Sequence, residues 1–93
     1  MYNSITTICI PKMKKTFTKH FIKQKIARCN FGKIQSIIER PLRNENDYKK
    51  VTIRIEVNNT TNGNYLLEKT KEGSPIKIVY NGVDYWRMFN VNL

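Results

Sequence analysis

The ten residues Tyr48–Val57, YKKVTIRIEV, alternate polar and apolar side chains almost without fault, and this period of two constrains the fold more than any other feature. A segment with that period is a β-strand, because the pleated backbone sends successive side chains to opposite faces. Val51, Ile53, Ile55 and Val57 share one face, and Lys50, Thr52, Arg54 and Glu56 share the other. The sheet that holds this strand must therefore bury one face and leave the other in water, the usual condition of an antiparallel sheet.

The other segments supply the cover for the buried face. The β-branched run Ser4 to Ile10 predicts a first strand that stops at Pro11, which cannot donate to a central ladder. Thr18 is placed to cap a helix from about Lys19 to Arg28, with Phe17 and Ile22 as a hydrophobic staple and Ile22, Ile26 and Cys29 on the buried side. Gly32 gives turn freedom, and Ile34, Ile37 and Ile38 mark a second strand whose uneven spacing predicts a bulge. Pro41 to Asp47 reads as a loop. After cap chemistry at Asn58 to Asn62, the residues Gly63, Leu66, Leu67 and Thr70 recur at helical spacing until Gly73 and Pro75 end a short second helix. Ile76 to Tyr80 and Val83 to Val91, joined by Asn81-Gly82, predict a terminal hairpin. With Trp86 and Met88 turned inward, Tyr85, Arg87 and Phe89 face the other way.

This succession predicts a single α+β domain over residues 1–93: a ferredoxin-like β-α-β-β-α-β sandwich, with an antiparallel sheet, both helices on one face and a C-terminal hairpin. A chain of 93 residues has room for one core, and its 40% hydrophobic content is too high for disorder. No internal repeat, low-complexity tract or linker interrupts it.

The formal net charge is +10, the electrostatic footprint of a protein that meets a polyanion. Met1 to Ile38 contains no acidic residue, so most of the excess is N-terminal. Lys12, Lys14 and Lys15 fall in the expected loop after the first strand, near the rim of the sheet, where they can track phosphates. Lys19, Lys23 and Lys25 fall on the first helix, behind the sheet, and suit a separate patch for a polyanion or an acidic protein. The competing explanation is a well-solvated basic surface.

Chemistry of other kinds finds little support. Cys9 and Cys29 lack zinc-site spacing, and His20 is the only histidine, so neither metal nor cofactor is expected. There is no glycine-rich phosphate loop and no nucleophile paired with a base; the seven carboxylates are scattered. The segment Pro11-Lys12-Met13-Lys14-Lys15 also lacks the arginine that acylphosphatases, which share this topology, carry after their first strand. The chain is expected to be a non-enzyme without a small-molecule substrate. Ile5 to Ile10 is too short and polar for a signal peptide or membrane span, which predicts a soluble intracellular protein with free thiols in a reducing compartment.

Two stretches carry a family resemblance. Ile8-Cys9-Ile10-Pro11-Lys12-Met13 sits where RNA-recognition motifs (RRMs) place their first-strand hexamer, and Tyr48 to Ile55 where they place their octamer, K/R-G-F/Y-G/A-F-V-x-F/Y. Phe31-Gly32-Lys33-Ile34 resembles the family's helix-to-strand junction. Together with Ile76 to Tyr80 and Tyr85-Trp86-Arg87, these segments resemble small divergent RRM-like proteins of nucleocytoplasmic large DNA viruses, which would place the chain in host cytoplasm or virion. The resemblance implies single-stranded RNA on the open sheet face. The chain departs from the family at the three base-stacking positions, which are Cys9, Lys50 and Thr52 here. The expected interface is therefore basic, aromatic-poor and of low sequence specificity, comprising Lys12, Lys14, Lys15, Lys49, Lys50, Thr52, Arg54, Tyr85, Arg87 and Phe89. The alternative is a protein-interaction or assembly module, a viral structural or ribonucleoprotein component, that docks a protein partner on the same face.

Overall fold

The computed structural model describes residues 4–91; the first three and last two residues of the expected 1–93 domain lie outside the described residues. The chain runs β1 (Ile5–Lys14), α1 (Lys19–Ala27), β2 (Gly32–Pro41), β3 (Tyr48–Val57), α2 (Thr61–Glu72), β4 (Ile76–Asn81) and β5 (Asp84–Asn90). It is an α+β structure with one five-stranded sheet in the order β2-β3-β1-β5-β4, antiparallel between every pair of neighbours. It follows that β1 and β2 run parallel with β3 between them, and that β3 and β5 run parallel with β1 between them.

The alternation in β3 is realised residue by residue. Val51, Ile53, Ile55 and Val57 are buried, whereas Lys50 and Arg54 are exposed. Cross-strand pairing carries the same polarity into the neighbours: Ile53 is opposite Ile8 on one side and Ile37 on the other. Ile22 and Ile26 of α1 and Leu66 of α2 join these residues, Trp86 and Met88 in a single core cluster. Each such aliphatic side chain contributes roughly 1.5–3 kcal/mol by leaving water.

Local chemistry sets the helix ends. The Thr18 side chain accepts a hydrogen bond from the Phe21 N–H at 3.1 Å and Thr60 accepts from the Gly63 N–H at 3.1 Å, so each helix begins on a threonine cap. Gly73, left-handed at φ 73°, closes α2. Phe17 stacks on Phe21 with centroids 5.2 Å apart, and both rings meet Trp86 edge-on. Cys29 is half-buried instead of fully inside; its thiol donates to the Lys25 carbonyl at 3.6 Å.

Two local expectations are corrected and a third is realised. β1 does not end at Pro11 but continues to Lys14, because a register shift between Ile10 and Met13 lets the proline sit in a central strand without owing the ladder a hydrogen bond. Lys12 and Lys14 are consequently strand residues, and only Lys15 lies in the following turn. At the C-terminal hairpin, Asn81 pairs with Asp84, so the tight turn is Gly82-Val83, with Gly82 at φ 55°. The bulge expected in β2 lies between Ile34 and Ser36.

Candidate nucleic-acid interface

The face of the sheet turned away from the helices is arranged in transverse rows. Register places Ile38 opposite Thr52, Thr52 opposite Cys9 and Cys9 opposite Phe89, forming an uncharged row across four strands. Two residues further along the strands, Arg40 is opposite Lys50 and Lys77 is opposite Arg87. All four cations are exposed. Like charges placed directly opposite each other on one sheet face are destabilising unless an anion or solvent screens them.

Between the two like-charged pairs runs β1, and here the sheet opens. Among the described residues β1 pairs with β5 at Ile8 and Cys9, supplemented by a hydrogen bond from the Val91 N–H to the Thr7 carbonyl at 3.2 Å. The bulge at Pro11 ends that ladder, and a groove lined by Pro11, Lys12, Tyr85, Trp86, Arg87 and Phe89 separates the hairpin from the bulged end of β1. The proline that breaks the ladder therefore also shapes the groove.

Aromatic rings border this cationic band. Lys77 Nζ lies 4.2 Å from the centroid of the Tyr85 ring, and the Arg87 guanidinium lies 5.9 Å from it. Arg87 Nη2 donates to the Tyr85 hydroxyl at 3.5 Å, and this bond, with the charges of Arg87 and Lys77, pulls the phenol below its ordinary pKa. On the other flank, Lys12 Nζ sits 4.4 Å from the Tyr48 centroid and 2.6 Å from Glu45 Oε2. The hydrogen bond from Lys12 to Glu45 raises the lysine pKa, but the pair is exposed and of the kind that contributes little to stability. Burial beside this band pushes the Cys9 thiol up, with Lys50 opposing.

The expected site residues are thus brought together unequally. Lys50, Thr52, Arg87 and Phe89 occupy adjacent rows of the open face, Tyr85 adjoins them, and Lys12 lines the groove. Arg54 shares the face but sits opposite Thr7 and Ser36, two rows from the Arg40 and Lys50 pair, a separation of roughly 14 Å at the strand rise. Lys14 and Lys15 line a separate recess with Asn46, Asp47 and Tyr48. Lys49 is corrected outright: it is buried on the inner face, where its ammonium is hydrogen-bonded to the Phe17 carbonyl and the Glu39 carboxylate. It braces the start of α1 against β2 and β3 and has no access to the open face.

No family model, curated protein or solved structure matches this chain. The residues themselves therefore carry the functional argument. Arg40 and Lys77 were not anticipated in the band. Lys77 was legible in the alternation of Ile76-Lys77-Ile78, whereas Arg40 joins only through the bulged register of β2 with β3. Among the described residues no group of three or more histidine, cysteine or acidic side chains is placed to hold a metal ion, and no helix is long and apolar enough to cross a membrane.

Proposed function

We propose that this chain is a non-catalytic nucleic-acid-binding module of RRM-like, ferredoxin-like architecture that takes single-stranded RNA across its open sheet face. The observation that carries this reading is the pair of like-charged cross-strand couples, Arg40 with Lys50 and Lys77 with Arg87, flanking a groove with Lys12, Tyr85 and Phe89 in its lining. Phosphates neutralise such couples, and the rings offer a stacking surface displaced from the family's usual positions. The topology supports the architectural part: each of β1-α1-β2 and β3-α2-β5 joins two parallel strands with a third between them, the split arrangement, while β4 is an added edge strand. Kinship with small viral proteins of this type and an intracellular setting belong to the same proposal.

Recognition of this kind is dominated by phosphate contacts, which position a strand without reading its bases. Binding is accordingly salt-sensitive and weakly selective. Titration of labelled single-stranded RNA at several salt concentrations tests it: about four neutralised phosphates give a log–log slope near −3, at ~0.7 per phosphate. The combined variant Lys50→Glu, Arg54→Glu, Arg87→Glu is expected to lose both affinity and slope. Equal binding by both proteins, or none by either, sinks the reading.

The second reading, a protein-docking face, draws on the uncharged row of Ile38, Thr52, Cys9 and Phe89 and on Val79, which is 53% exposed. Tyr85 is itself exposed within the cationic band, which favours nucleic acid over this alternative.

A further inference from the structure

A second basic surface lies around the β2 edge of the sheet, on the side covered by α1. β2 is one of the two edge strands, so one side of its backbone bonds to β3 while the other has no strand beside it among the described residues. From Ser36 to Pro41 it keeps unbroken register with β3, and its outer edge is correspondingly regular over that stretch. α1 packs alongside, leaving a groove lined by Lys19, Lys23, Ile34, Gln35, Ser36 and Ile37. Lys19 and Lys23 are both exposed, and neither forms an ion pair among the described residues.

The charges on this wall are unfavourable for the helix that bears them. The first turn of α1 contains no acidic residue and begins with Lys19, although the positive end of a helix dipole favours carboxylates. Lys19 and Lys23 are also spaced i and i+4, where like charges repel. A carboxylate-bearing partner in the groove relieves both effects. At the same level, a free β-strand edge supplies a row of backbone donors and acceptors whose ladder another polypeptide can continue.

We infer that the outer edge of β2 takes an extended acidic peptide as a sixth strand, with its carboxylates set against Lys19 and Lys23. A second copy of this chain is a poor occupant, because two molecules of net charge +10 would bring both lysine walls to one edge. Nucleic acid can follow the lysines but cannot continue the ladder. Short segments suffice, since the regular edge ends at Pro41.

The test uses the full chain, isotopically labelled, and an end-capped eight-residue peptide of alternating Glu and Val. The expected result is slowed hydrogen exchange at alternate backbone amides between Ser36 and Arg40. The double variant Lys19→Glu, Lys23→Glu should weaken peptide binding at least tenfold while leaving single-stranded RNA titration of the open face unchanged. Peptide-induced shifts confined to α1 without protection in β2 would overturn the inference, as would protection at β4 or no binding at millimolar peptide. Displacement of the peptide from α1 by oligouridylate, with equal or greater shifts there, would make the surface a nucleic-acid patch and refute it as well.

Discussion

Lys49 and Lys50 differ by one step along β3, and the pleat turns that step into a change of solvent. Lys50 projects into water on the open face, whereas Lys49 is buried against Glu39 and the Phe17 carbonyl. Removing a buried cation strands its partners, so Lys49→Ala should destabilise the protein by about 1–3 kcal/mol, below the ~3–5 kcal/mol of a fully buried pair because Glu39 retains some water contact. Lys50→Ala should change stability by less than about 0.5 kcal/mol and act on RNA affinity instead. Urea denaturation of both variants checks the contrast. The two thiols give a pH signature at the same scale. Burial raises the pKa of Cys9 and of Cys29, so the folded state holds their protons more tightly than the unfolded chain does. Their contribution is complete below the unfolded thiol value, near pH ~8.5, and is lost as pH rises through the folded value. Unfolding free energy should therefore fall across that alkaline window more steeply for the natural chain than for a Cys9→Ala, Cys29→Ala variant.

At the scale of elements, α2 shows how a close approach overrides propensity. Alanine is normally the better helix residue than glycine by up to ~1 kcal/mol. At Gly63, however, an added Cβ would stand 1.9 Å from the Asn58 carbonyl oxygen and 3.1 Å from Val57 Cγ1. Gly63→Ala should thus reverse the usual sign and destabilise by about 1–3 kcal/mol, the cost of overpacking, read from thermal or urea unfolding. β1 teaches a related lesson. Proline was legible as a ladder breaker, but the sheet accommodates it by bulging, and the strand resumes through Met13, which is buried. A one-residue register change of this kind decides which lysines reach the open face.

For the whole molecule, charge and stability pull against each other. A net charge of +10 on 93 residues repels itself in the compact state, so raising salt from low to near-physiological ionic strength should increase the melting temperature. RNA affinity should fall over the same range. Calorimetry in parallel with the binding titration reads both; a melting temperature that falls with salt would mean that the acidic residues already balance the cations in the fold. The cations are not uniformly spread. Two groups of them stand apart, a transverse band on the open face and a wall on α1, with the helix-packed core between.

What the sequence determined by itself is whatever depends on neighbours within a few residues. The alternation of β3, the threonine that caps α1, the glycine that closes α2 and the inward setting of Trp86 and Met88 are all local, and all are realised. The α+β class follows from them. Tertiary structure decided what depends on pairing between distant segments: that Arg40 meets Lys50 and Lys77 meets Arg87, that Lys49, already set on the inner face by the alternation of β3, finds Glu39 there, and that β5 parts from β1 to open a groove. Register between strands is set by core packing and bulges summed over the whole sheet, and no short window of sequence contains that sum.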